Sequence, residues 1–372
     1  IVSSGQSALH FFSGSFELCS LSDDPYEAMT SFDEIHPYSR IGLERVRELA
    51  AQVKPFFKET GITLKGAKDA NHWRITPLGV LKRAWLTMDE YATIPSDGKV
   101  PWKKVALLNI DGFLDFHPSY IAGGLSEMGV ETVVRTISLP DLERLRHNPT
   151  EMRSTNIAKT LTGDLVRVLA ARINEHAKDV DAILMPAVVG LDGCSDVVRL
   201  KEYVDRPLHF LSTLPPSVPG IRLQLMLKRY FQKLGGTYML GDSVTGGEFE
   251  DGKFRFEADN FILASGSLFS KGLVSDMDAV REPVFGLDVD FLECRSQWYD
   301  KNMFASQPYM TFGVSSGKDF HVLRSGMSVD NLYAAGAVLS GFNALKEGSG
   351  AGVSILTALH VSSLILNSAR TS

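Results

Sequence analysis

With 372 residues, 44% of them hydrophobic and 22% charged, the chain is long enough for two folded domains and has the balance of a globular protein, not a disordered one. A net charge of −6 with dispersed Lys and Arg leaves no basic face to recruit nucleic acid or anionic lipid. Cys19, Cys194 and Cys294 stand apart without CxxC spacing, which argues against an iron–sulfur or zinc site and fits a reducing cytoplasm.

The chain opens with Ile1 and Val2, which read as the tail of a strand running into Ser3, Ser4 and Gly5; no GxGxxG turn follows a strand anywhere. Residues 5–15 form a small, glycine- and serine-rich loop containing Ser7, His10, Ser13, Gly14 and Ser15. Ser39 is placed to cap a helix whose apolar positions Leu43, Val46, Leu49 and Val53 recur every three or four residues, with Pro55 expected to end or kink it. Residues 104–110 have the unbroken apolar character of a buried strand, residues 118–128 that of a helix with Pro118 at its start, and residues 131–139 that of a second strand. Together they predict a βαβ unit with parallel pairing. Ile157, Leu161, Leu165, Leu169 and Ile173, spaced by four, predict one long helix, and residues 181–188 and 208–211 further strands.

Prolines at 215, 216 and 219 lead into a helix over 221–234 that stops at Gly235 and Gly236. Short strands are expected around a hairpin turn at Asp251 and Gly252, including residues 254–256. Residues 261–264 then make an apolar strand ending in the small residues Ala264, Ser265 and Gly266. Residues 332–335 form another buried strand, closed by Gly336. Gly348, Ser349, Gly350, Ala351 and Gly352 open an apolar helix, where free N–H groups and the positive end of the dipole suit a pyrophosphate or another anion. Residues 351–366 are interrupted by Ser354, Thr357 and His360, so that stretch reads as a buried helix, not a membrane span. Gly313 to Gly317 match GxSxG, but the residues after Gly317 continue as a strand where a serine hydrolase needs a helix, so a hairpin turn is expected.

The strand at 261–264 followed by the strand and glycine-led helix at 332–352 resemble the closing half of a two-dinucleotide-binding-domain flavoprotein. This predicts an α/β fold: a Rossmann-like flavin-binding domain, its amino-terminal strand–turn–helix missing, with an inserted α/β cap. The expected limits are 1–69 and 214–372 for the flavin-binding domain and 70–213 for the cap. More specifically, several motifs make the chain similar to the family of B subunits of anaerobic glycerol-3-phosphate dehydrogenases: Gly5-Gln-Ser-Ala-Leu-His10, Ser13-Gly-Ser15, His36-Pro-Tyr-Ser39, Arg74-Ile-Thr-Pro-Leu-Gly79, Gly220-Ile-Arg-Leu-Gln224, Leu263-Ala-Ser-Gly-Ser267, Arg281-Glu-Pro283 and the helix start at Gly348.

That resemblance implies a flavin-containing subunit working with a catalytic A subunit and a membrane-associated iron–sulfur C subunit. It implies oxidation of sn-glycerol 3-phosphate to dihydroxyacetone phosphate, with electrons passed to the quinone pool under anaerobic conditions. The location implied is cytoplasmic, peripheral at the inner face of the membrane through the complex. Two other roles stay open: an electron relay without its own substrate site, or a non-catalytic assembly scaffold.

Cofactor contacts are expected from Ser7, Ser13, Gly14, Ser15, Ala264, Ser265, Gly266, Gly336, Gly348, Ser349, Gly350 and Gly352. His10 and His321 are the candidate bases for the hydroxyl proton, and Arg281, Arg74 and Arg222 the candidate binders of the substrate phosphate. An acidic residue usually holds an adenosine ribose at the end of the second strand. Ser3 and Ser4 fall near that place, which favours FMN over FAD.

Overall fold

The structure, a computed structural model, describes residues 1–5, 7–244 and 257–371. The turn expected at Asp251 and Gly252 and the strand over 254–256 lie outside the described residues. The chain forms two compact units. The first holds residues 3–16 and 54–239, the second residues 17–53 and 240–372. Beyond Ser3 the chain therefore passes between units at 16/17, at 53/54, inside a helix, and at 239/240.

The first unit is built on a four-stranded sheet in the order Leu208–Leu211, Ala182–Pro186, Lys104–Ile110, Glu131–Ile137. All three pairings are parallel, with Lys104 opposite Glu131, Ala182 opposite Val105 and Ile183 opposite Leu208. Every residue of Ala182–Pro186 is buried, which is why central strands of a parallel sheet read as apolar runs without alternation. The helix Pro118–Glu127 connects the first two strands and buries Ile121 and Leu125.

Where one long helix was expected there are two, Ser154–Thr160 and Asp164–His176, because Gly163 between them takes a left-handed φ of 59° that interrupts the helical path. The last helix of this unit, Val218–Lys233, is capped by Ser217, whose hydroxyl accepts from the Gly220 N–H. Two small antiparallel sheets complete the unit: Leu81–Ala84, His72–Ile75 and Thr93–Ile94 in one, Ser15–Phe16, Leu86–Met88 and Leu64–Lys65 in the other.

In the second unit Phe261–Leu263 pairs in parallel with Met327–Ala334, which also pairs antiparallel with His321–Arg324. Ser39 does not cap the following helix. His36 caps a short helix, Pro37–Ile41, and Gly42 (φ 84°) separates it from Leu43–Glu59. Pro55 does not end that second helix, which keeps Val53 and Phe57 buried on either side of it; tertiary burial outweighs the one hydrogen bond that proline removes. The unit closes with Gly350–Thr371, whose stripe Val353, Leu356, Thr357 and Val361 is buried. Among the described residues, 350–369 of this helix are long and apolar enough, by length and composition alone, to cross a membrane.

Candidate functional site

The glycine-led helix start is held by hydrogen bonds from the strand beside it. Ala335 donates its N–H to the Leu263 carbonyl at 3.0 Å, and Gly336, at φ 78°, donates to the Thr357 hydroxyl at 2.8 Å, hooking the strand end onto the helix interior. Not all of the first-turn N–H groups remain open. Gly352 donates to the Glu17 carbonyl at 2.9 Å and Val353 to Ser349 at 2.8 Å, whereas the N–H groups of Gly350 and Ala351 have no partner among the described residues. A Cβ at Gly348 would lie 2.3 Å from the Ser20 hydroxyl, and one at Gly352 would lie 2.2 Å from that of Tyr38. The chain's own packing thus accounts for two of the three glycines, and Gly350 with Ala351 forms the part of the start open to a ligand.

A buried polar cluster fixes the loop before this helix. His36, 2% exposed, accepts the Tyr38 N–H on Nδ1, so its ring proton sits on Nε2 and points to Glu347 Oε2 at 3.2 Å. Glu347 also accepts from the Asn343 N–H at 2.7 Å and the Ser349 hydroxyl at 2.7 Å. Burial alone would raise the Glu347 carboxyl, but these donors outweigh it and hold it below the ordinary glutamate value. Sequence reading missed this pair as a site feature. A signal existed: Asn343 followed by Glu347 is a capping box stretched by one residue, with Asn343 accepting from the Lys346 N–H.

At the end of the parallel pair, Ser265 has a hydroxyl sealed from solvent and without a hydrogen-bond partner. Ala264 and Gly266 flank it, Gly266 at φ 87° with the Ser270 side chain where a Cβ would go. His321 has Nδ1 2.7 Å from Asp319 Oδ2, its ring 4.1 Å from the Tyr333 ring, and an Nε2 that is buried without a partner. Burial pushes the Asp319 carboxyl up, yet the hydrogen bonds from His321 prevail and its pKa is lowered. Arg281 is exposed and ion-paired with Asp276 within its own hairpin. The GxSxG serine, Ser315, donates to Asp290 Oδ1 at 2.5 Å, and Ser316 bridges back to Val322 of the next strand, so the motif is a turn between strands.

The remaining predicted residues belong to the first unit. Ser7 caps a short 3-10 helix, Ala8–Phe11, that carries His10; the His10 carbonyl accepts the Ser217 N–H at 2.8 Å, and burial lowers the imidazole pKa. The Ser13 carbonyl accepts from the Ser212 hydroxyl, and the Tyr91 ring fills the space where a Cβ at Gly14 would be. Ser15 and Thr87 share a hydrogen bond of 2.8 Å, and Thr87 lies 2.6 Å from His72 Nε2. Arg74 is buried in the strand His72–Ile75. Arg222, 1% exposed, pairs with Glu90 and donates to the carbonyls of Val189 and Gly190.

Burial, reinforced by the charge of Lys65, lowers the His72 pKa to about 4. Folded His72 is therefore neutral between pH 4 and 6.5, where the unfolded chain takes up a proton, so stability falls as pH drops through that window. We expect wild-type stability to decline between about pH 7 and pH 4 by about 3 kcal/mol more than that of His72→Gln, measured by urea unfolding at each pH.

Comparison with known proteins follows the same lines. The FAD binding domain family matches residues 1–353. The B subunit of anaerobic glycerol-3-phosphate dehydrogenase from Yersinia pestis bv. Antiqua is 38% identical, the alignment covering 99% of this chain and 92% of the relative. The corresponding B subunit of Pectobacterium atrosepticum is 40% identical over 98% of this chain and 92% of its own length, and that of Aliivibrio fischeri 34% identical over 98% and 89%. The chain belongs to the family of anaerobic glycerol-3-phosphate dehydrogenase B subunits. No solved structure matches it. The chain thus combines a match to a FAD binding domain over most of its length with membership of a family of dehydrogenase subunits. In this chain the second unit brings together Ala264 to Gly266, Gly336, and the helix start from Gly348 to Gly352. The first unit groups Ser7, His10, Ser13, Gly14 and Ser15 around the amino end of the helix Val218–Lys233 and the Thr87–His72 pair.

Proposed function

We propose that this chain is the flavin-containing subunit of a respiratory complex that oxidises sn-glycerol 3-phosphate to dihydroxyacetone phosphate under anaerobic conditions. In this reading electrons pass to the quinone pool through a membrane-associated iron–sulfur C subunit, with a catalytic A subunit alongside, on the cytoplasmic face of the membrane. The second unit would be the flavin-binding domain, and the segment 54–239 the inserted α/β cap.

The observation that carries the reading is the second unit's polar inventory. The parallel pair ends in a buried Ser265 hydroxyl without a partner, and the adjoining glycine-led helix leaves the Gly350 and Ala351 N–H groups unused. Those donors suit the phosphate oxygens of a flavin nucleotide. A bound flavin supplies acceptance of an electron pair from the alcohol carbon and release of electrons singly. The chain's own part is to bind, orient and take the hydroxyl proton. His321 is the better equipped base of the two candidates, because Asp319 engages Nδ1 and leaves Nε2 without a partner, whereas among the described residues no carboxylate orients the His10 ring. Ser3 and Ser4 support FMN; the description of the matching family supports FAD.

One observation favours the relay reading as the second choice. Each arginine proposed for the substrate phosphate is committed to the protein: Arg222 to Glu90, Arg281 to Asp276, and Arg74 to the buried interior. The test is to assemble the complex with wild-type or His321→Asn protein, extract and identify its flavin, and follow glycerol 3-phosphate oxidation with an artificial acceptor. Flavin carried by this chain, with kcat lowered about 10²–10⁴-fold by His321→Asn, is the expected result. Bound flavin with unchanged turnover selects the relay, and a chain without flavin selects the scaffold.

A further inference from the structure

The first unit contains an open pocket of about 340 Å³ between the strands Leu64–Lys65, His72–Ile75 and Thr93–Ile94. That volume falls within the range of small-molecule sites, roughly 300–1,000 Å³. Lys65 is the single charged residue on its wall; Asn71, His72, Thr93 and Ser96 supply the polar remainder, and no carboxylate lines it.

Lys65 is half-buried, and its ammonium donates to the Tyr91 carbonyl, which leaves two of its three N–H groups. Among the described residues it has no carboxylate within ion-pair distance; Asp89 and Glu90 influence it from farther away, as does Lys201 with the opposite sign. A lysine partly withdrawn from water in this way is usually paired, since desolvating an ammonium without a counter-ion is costly. His72, on the same wall, is pinned through Nε2 by Thr87, itself fully buried and bonded to the buried Ser15, so Nδ1 is the ring nitrogen left for a ligand.

We propose that this pocket binds a small molecule carrying a carboxylate or phosphate group, with Lys65 as counter-ion and His72, Asn71 and Ser96 as its polar contacts. The anion completes the ion pair that the fold leaves open. It also meets an imidazole whose orientation is already fixed. Two ties run from the pocket to the segment 14–15: Thr87 to Ser15, and Tyr91, whose carbonyl holds Lys65 while its ring covers Gly14. None of this depends on flavin binding.

The experiment is calorimetric titration of the whole chain with inorganic phosphate and, separately, with malonate. Lys65→Met and Ala67→Trp are titrated in parallel; Ala67 is an exposed residue on the pocket wall, so the second variant fills the space without disturbing the core. Saturable binding of either anion, weakened about tenfold or more in both variants, is expected. Phosphate alone or malonate alone would assign the ligand to one oxyanion class. If neither anion binds saturably at millimolar concentration, or if affinity survives both replacements in folded protein, the site does not exist.

Discussion

Arg222→Ala is expected to lower the unfolding free energy by about 3 kcal/mol, because it leaves the part-buried carboxyl group of Glu90 without its partner. The guanidinium reaches from the helix Val218–Lys233 to Glu90 and to the carbonyls of Val189 and Gly190, in the loop after the central strand Ala182–Pro186. Removing it therefore frees two backbone acceptors as well as a carboxylate. Arg222→Met with Glu90→Gln removes both charges and keeps most of the volume, so the double variant should recover a large part of the loss. Urea unfolding of wild type and the two variants measures this directly. If Arg222→Ala instead unfolds like wild type and raises only the KM of the assembled enzyme, the residue faces substrate and its pairing with Glu90 is incidental.

Arg222 also marks where sequence reading stopped. An arginine beside Gly220 in a family motif is visible as a charge, but its partner, Glu90, lies far along the chain, and nothing local announces it. The strands fared differently. Lys104–Ile110, Glu131–Ile137 and Leu208–Leu211 could be placed to within about two residues: the first and last are largely buried and read as apolar runs, whereas Glu131–Ile137, an edge strand with one buried residue, is marked by its β-branched Thr and Val and by its place after the helix of a βαβ unit. Helix limits depended on events that periodicity hides: Gly163 divides a regular stripe of apolar residues, and Pro55 sits inside a helix that tertiary burial maintains. The glycines show the same limit. Gly14, Gly348 and Gly352 were legible as places where something approaches the backbone closely, but only the folded chain identifies the Tyr91 ring, Ser20 and Tyr38 as what approaches. His36 and Glu347, 311 residues apart, form the cluster that holds the helix start, and only the capping half of that cluster had a local signal.

Gly352→Ala should destabilise the protein by about 2–4 kcal/mol, against the trend for a glycine in a helix, where alanine ordinarily gains about 1 kcal/mol. The new methyl would stand 2.2 Å from the Tyr38 oxygen and 2.9 Å from the Leu18 Cα. Tyr38 is 2% exposed and donates to the Leu18 carbonyl at 2.7 Å, so making room breaks a buried hydrogen bond, at a cost of about 1–3 kcal/mol. The same movement strains the bond from the Gly352 N–H to Glu17. Gly350→Ala provides the contrast. Its Cβ meets only the Ala344 methyl, at 3.1 Å, and its backbone has no left-handed requirement, so its stability should stay within about 1 kcal/mol of wild type. Thermal unfolding and flavin titration on the two variants then separate the roles that the glycine run combines. Loss of flavin affinity in Gly350→Ala at unchanged stability places the phosphate at the open N–H groups, whereas parallel losses of affinity and stability in Gly352→Ala follow from a helix start pushed off the 17–18 segment. Wild-type stability in Gly352→Ala would mean that Tyr38 yields freely, and the close packing of this helix on residues 17–38 would then not be what requires glycine there.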